Sequence, residues 1–145
     1  MKVLLDTNVL LDAIAARQPF CGDAQRIFLL AAQERFEGLL TANSVTDIYY
    51  VARKTLSDAQ AREALRSLFQ VFTVVDVRGA DCEAALDSRI ADYEDAVAVL
   101  CARKAGAECI ITRDEGFLQA APEPAAVSPA AFLEKWGDDV RSARS

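Results

Sequence analysis

Histidine is absent from all 145 residues. That excludes histidine triads, histidine-ligated zinc and imidazole acid–base catalysis. Cysteine is scarce. Cys21, Cys82, Cys101 and Cys109 stand far apart with no CxxC spacing, so neither a zinc nor a redox motif is expected. The four are expected to be small buried apolar residues of a reduced, cytoplasmic protein. No apolar run approaches the roughly 18 residues that a bilayer span needs, and no membrane partner is expected. Met1-Lys2 leads directly into the first apolar stretch, which Asp6 interrupts, so no secretory leader is expected either. Positive charge is in deficit, with 16 Lys and Arg against 22 Asp and Glu, a net −6. Such a chain does not attract nucleic acid by bulk electrostatics. To handle a polyanion it needs bound cations or a local basic patch.

What remains is a chain of 52% hydrophobic and 26% charged residues. It suits one globular domain over residues 1–137, followed by a polar, frayed tail over 138–145. Lys2-Val3-Leu4-Leu5 is a continuous apolar run that ends in Asp6. Runs of this kind suit strands buried on both faces of a parallel sheet. Glu37 to Ala42, Phe72 to Val77, Cys109 to Thr112 and Ala125 to Val127 read as further strands. Helical spacing follows Asp6, recurs over about 20–33 and again from Ser57, and continues through Cys82, Ala85, Leu86 and Ile90. Ser44-Val45-Thr46-Asp47 has the spacing of a capping box for a helix bearing Ile48, Tyr49 and Ala52. Asp92 and Asp95 stand as N-cap and third residue of the most apolar helix, which Gly106 ends. Ser128-Pro129 opens a last helix through Phe132 and Trp136. Strands alternating with helices predict an α/β fold: three α/β/α layers around a mainly parallel sheet of four to five strands.

In that fold strand ends and helix starts meet on one edge. Asp6, Asp47, Asp92, Asp95 and Asp114 therefore converge there from four separate segments. Each could serve as a local cap, since acids in first turns complement the helix dipole. Together, like charges repel unless a cation or protons compensate them. Carboxylates without His or Cys suit Mg²⁺ or Mn²⁺.

Leu4-Leu5-Asp6-Thr7-Asn8-Val9-Leu10-Leu11, the acid of Ser44-Val45-Thr46-Asp47, Asp92-Tyr93-Glu94-Asp95-Ala96 and Ile110-Ile111-Thr112-Arg113-Asp114 together resemble a PIN domain over nearly the whole chain. The resemblance implies a metal-dependent endoribonuclease and, among small bacterial members, a VapC-like toxin with a cognate antitoxin and a homodimeric assembly. It assigns the acidic quartet to Asp6, Asp47, Asp95 and Asp114, with Asp92 auxiliary. Asp47 departs from the glutamate usual at its position and is one methylene shorter. Thr7, Asn8 and Thr112 are candidates for hydrogen bonds that orient the ligands. Arg53, Lys54 and Arg113 are candidates for RNA phosphate contacts. Two other classes compete. An aspartyl-phosphate phosphatase would need a second acid where Asn8 stands. A catalytically inactive PIN-like module would bind RNA or protein without cutting.

Overall fold

The computed structural model describes residues 1–137; the expected tail over 138–145 lies outside them. Five strands, β1 (Lys2–Leu5), β2 (Glu37–Thr41), β3 (Phe72–Val75), β4 (Cys109–Ile111) and β5 (Ala125–Val127), form one sheet in the order β3-β2-β1-β4-β5. Every neighbouring pair is parallel. The chain therefore builds outward from β1 on one side, then crosses over to build on the other. That reversal puts a topological switch point between β1 and β4, at whose carboxyl ends ligands bind in such sheets.

Alternation along the strands divides the core. Val3, Leu5, Leu40, Cys109 and Ile111 point to one face. They pack there against α1 (Thr7–Ile14), α2 (Cys21–Ala32), α3 (Ala42–Ala52), α4 (Asp58–Val71) and α8 (Pro129–Trp136). Leu4, Leu39 and Ile110 point to the other face, where they meet α5 (Gly79–Ala85), α6 (Tyr93–Ala105) and α7 (Glu115–Gln119). Both faces are covered, so the middle strands must read as unbroken apolar runs. Gly38 lets the two outer strands on its side close up, since a Cβ there would run into the Phe72 ring. Gly106 ends α6 at φ 77°, in the left-handed region that favours glycine.

Three expectations need correction. α3 starts at Ala42 directly from β2, with Thr41 as its N-cap. Ser44 is thus inside the helix and buried, bonded to Thr41 and Thr7 rather than capping. Asp47 falls in the second turn, outside any capping box. α5 stops at Ala85, leaving Leu86 exposed and Ile90 beyond the helix. There Ser88 Oγ accepts from Ile90 N, and Arg89 reaches across to the Ala120 and Ala121 carbonyls. α7, which Asp114 opens, is a short helix that no sequence period marks. Cys82 is exposed, while Cys21, Cys101 and Cys109 are buried. Among the described residues no helix is long and apolar enough to cross a membrane.

Candidate active site

Asp6 leaves β1 in extended conformation and caps α1, accepting from Thr7 N at 2.9 Å. Its own N–H donates to the Ile111 carbonyl at 2.9 Å, which holds the end of β1 against β4. Its second carboxylate oxygen accepts from Thr112 Oγ1 at 2.8 Å. Thr112 is fully buried and its Oγ1 also accepts from Asp114 N at 3.1 Å. One hydroxyl thus joins the acid after β1 to the acid after β4. Asp114 caps α7, accepting from Gly116 N and Phe117 N. Asp92 caps α6, accepting from Asp95 N at 3.0 Å. Three acids thus use backbone donors at helix starts, where the dipole also favours them.

The charges still press on one another. Asp95 is pushed up to about 7, first by burial and then by Asp92, Asp6, Asp114 and Glu94. Asp6 is also raised, mainly by burial. The bonds from Thr112 and Thr7 pull it back down, while Asp114 and Asp92 add to the rise. Mutual influence of this kind requires proximity. Asp6, Asp92, Asp95 and Asp114 therefore share one neighbourhood, drawn from β1, the start of α6 and the start of α7.

Asp47 takes a different place. It is exposed and lies against Glu94, whose carboxyl is raised by burial first, then by Asp47, Asp6 and Asp92. Glu94 was missed as a site residue because it looked like a first-turn helix acid between two better-placed aspartates. A small cavity of about 10 Å³ opens among Asp6, Thr7, Asn43, Ser44, Glu94 and Asp95. That is the room one water molecule or one small ion occupies. The buried Asn43 Oδ1 beside it has no hydrogen-bond partner among the described residues.

Among those residues no three Asp, Glu or Cys side chains are placed to hold one ion as they stand. The donor set nevertheless fits a hard divalent cation: only oxygen donors, an ion-sized void, and carboxylates whose repulsion a cation would relieve.

The other candidate residues divide. Thr7 Oγ1 donates to Ser44 Oγ at 2.7 Å, which ties α1 to α3. Asn8 instead accepts from Arg17 Nη2, through both its carbonyl and its side chain at 3.3 Å. Arg53 and Lys54 are exposed, with Arg53 donating to the Leu56 carbonyl. Arg113 is turned inward. It donates to Asp12 at 2.6 and 3.3 Å and stacks 4.2 Å over Phe20. Asp12, 1% exposed, also accepts from Arg17 Nε at 2.9 Å. An acid on the buried stripe of an apolar helix is the one sequence signal that could have marked it.

Comparison with known proteins bears on the family and the fold. The family model described as PIN domain matches residues 2–116. The chain is 25% identical over 143 residues to Ribonuclease VapC1 of Aquifex aeolicus (strain VF5), covering 93% of this chain and 95% of that protein. Among solved structures it resembles Mycobacterium tuberculosis VapC20, described as a sarcin-ricin loop cleaving toxin. That match has a TM-score of 0.65 at 20% identity and covers 83% of this chain and 95% of the other. A toxin-antitoxin complex from Klebsiella pneumoniae gives a TM-score of 0.64 at 22% identity, covering 88% of this chain and 97% of the other. With the family model spanning most of its length, the chain belongs to the PIN-domain family.

Proposed function

We propose that this chain is a divalent-metal-dependent endoribonuclease, acting in the cytoplasm as the toxin of a toxin–antitoxin pair. One observation carries the reading. Asp6, Asp92 with Asp95, and Asp114, from three separate segments, crowd the switch point, where burial first and then the neighbouring carboxylates push Asp95 up to about 7. A fold does not gather repelling acids at a ligand-binding edge for stability.

Asp6 and Asp95 are the residues that would hold Mg²⁺ or Mn²⁺, with Asp114 and Asp92 beside them and Asp47 acting through Glu94. When bound, such an ion lowers the pKa of a water and neutralises charge on the phosphate. The chain supplies the positioning. Thr112 fixes the orientation of Asp6 and the start of the Asp114 turn through one hydroxyl. Thr7 and Ser44 lock α1 to α3 around the cavity. Hydrolysis would break the bond between phosphorus and the 3′ oxygen, leaving 5′-phosphate and 3′-hydroxyl ends.

The named relatives support the substrate and the partner: one is a ribonuclease, one is described as a sarcin-ricin loop cleaving toxin, and one is a toxin–antitoxin complex. Exposed Tyr50 and Phe69 offer apolar surface consistent with a dimer or an antitoxin contact. The test is incubation of RNA with purified protein, with and without Mg²⁺ or Mn²⁺, beside calorimetric titration of the ion. Cleavage and saturable binding should both vanish in an Asp6→Asn, Asp95→Asn double variant. Equal cleavage by that variant, or products ending in 2′,3′-cyclic phosphate, would overturn the reading. RNA bound but never cut would favour the inactive module.

A further inference from the structure

Beside the acid cluster lies a second charged assembly of opposite sign. Asp12, buried in the inner face of α1, receives Arg17 from the connection after α1 and Arg113 from the connection after β4. One buried carboxylate needs a single guanidinium for neutrality. Two on it leave one net positive charge in an acidic protein.

The arginines are held but not consumed. Arg113 spends Nε and Nη2 on Asp12 and one ring face on Phe20. Arg17 spends Nε on Asp12 and Nη2 on Asn8. Neither Nη1 has a hydrogen-bond partner among the described residues. The two side chains remain 30% and 36% exposed. Each therefore keeps a terminal nitrogen with donors to spare, on a head that stacking and bonding have already ordered. Guanidiniums fixed in this way suit phosphate, because little rotamer freedom is left to lose on binding.

Their position is set by the site. Arg113 lies between Thr112, which bonds Asp6, and Asp114. Arg17 bonds Asn8, in the first turn of the helix that Asp6 caps. Along α1, Asp12 is about 9 Å from Asp6 at the rise of a helix, a separation on the scale of neighbouring nucleotides in one strand. No arginine is among the main influences on the Asp6 and Asp95 carboxyls. The pair thus stands beside the acids as a neighbouring site and is not their counterion.

We propose that Arg17 and Arg113, fixed on Asp12, form a phosphate-binding subsite for the RNA strand next to the one being cut. This inference rests on the RNA-cleaving reading, and it supplies the local basic patch that a net −6 chain needs to hold a polyanion.

The test reads binding, not cutting. An Asp6→Asn, Asp95→Asn background stops cleavage and removes two repelling charges. In it, fluorescence anisotropy with a labelled single-stranded RNA of mixed sequence is measured over a salt series. Arg17→Gln leaves the Arg113–Asp12 pair in place, so the fold is kept. It should weaken binding about fivefold and reduce the slope of log affinity against log salt by about 0.7, one phosphate contact on a single strand. Arg17→Lys should restore the slope, since it keeps the charge. Arg66→Gln, which removes an exposed arginine on α4, should change neither. An Arg17→Gln variant that melts lower yet binds with unchanged affinity and slope would show a structural clamp only and overturn the proposal. Absence of RNA binding in the background would overturn it too. The two readings separate cleanly. Arginine-dependent binding in a chain that never cuts RNA upholds the subsite and fells the nuclease. Cutting that ignores both arginines does the reverse.

Discussion

Asp6 and Asp12 sit at the start and near the end of the same short helix, yet they face opposite problems. Asp12 is buried and receives two guanidiniums. Asp6 is partly buried too, but its nearest charged neighbours are other acids, and only a threonine hydroxyl and one backbone N–H offset them. The same residue type is satisfied internally in one place and left in want of a cation in the other. Burial alone does not distinguish a structural acid from a functional one. What distinguishes them is whether the chain itself completes the charge. Asp12 stabilises the fold as built, whereas the cluster at Asp6 and Asp95 costs stability until something external arrives.

The sharpest way to break this contrast is Asp95→Asn. Asparagine keeps the size and removes one repelling charge. Cleavage should fall by at least about 10²-fold, roughly 2.7 kcal/mol in barrier, while stability without metal stays level or rises at pH 8. The pH dependence follows in sign. The folded chain holds Asp95 near 7, against an ordinary value of 3.8. Between these values the folded state binds more protons than the unfolded one. The favourable contribution is complete below the ordinary value and lost as pH rises through about 7. Asp6 is shifted the same way. Mg²⁺ should therefore raise the melting temperature more at about pH 8 than at about pH 5.5, since at the lower pH a proton already occupies Asp95. Paired melting curves at the two pH values check this. An equal shift at both would place the ion elsewhere.

Asp12→Asn should behave in the opposite manner. It weakens charge-assisted bonds to both arginines and should lower stability by about 1.5–3 kcal/mol, with or without divalent cation. Denaturant titration measures it. A loss that disappears on adding Mg²⁺ would mean that Asp12 belongs to the acid cluster after all.

Thr112→Val sharpens the comparison from inside the cluster. The isosteric change removes the hydroxyl that both lowers the Asp6 carboxyl and anchors Asp114 N. Loss of such an orienting partner should cost about tenfold or more in activity, and the acid limb of the pH–rate profile should move up. A profile shifted downward would mean that the hydroxyl was not stabilising the charged form of Asp6.

The sheet was legible because parallel strands covered on both faces must be apolar throughout, as in Val3-Leu4-Leu5 and Cys109-Ile110-Ile111. The edge bearing Asp6, Asp92, Asp95 and Asp114 followed from topology, since strand ends and helix starts meet there. Ser44 misled because its spacing to Asp47 imitates a capping box. β2 in fact passes into α3 with no loop, which turns the serine hydroxyl inward to Thr7 and Thr41. α7 is one short helix containing Gly116, too brief to show a period. The Asp12 assembly stayed hidden because Arg113 lies 101 positions away and no local pattern links them. Arg113 was a candidate for phosphate contact, together with Arg53 and Lys54. That the pair is fixed by a buried acid is visible in three dimensions alone.

The smallest expected effect falls on Asp47, where the sequence resemblance and the geometry diverge. By position it matches the family's acidic quartet, with aspartate in place of the usual glutamate. In the structure it is exposed, in the second turn of α3, and its partner is Glu94, which lines the cavity and whose carboxyl is raised by burial first and by Asp47 next. An acid acting at one remove should matter less than one that faces the cavity. Asp47→Asn is therefore expected to lower cleavage by less than about tenfold, under roughly 1.4 kcal/mol in barrier. It should also lower the Glu94 carboxyl toward its ordinary range, because a raising influence is removed. Carbon-detected NMR titration of the Glu94 side chain reports that shift, and single-turnover cleavage reports the rate. The control is Glu94→Gln, which should cost more than Asp47→Asn if Asp47 works through its neighbour. A rate for Asp47→Asn as low as that of Asp95→Asn, with Glu94 unmoved, would place Asp47 among the acids that hold the ion directly.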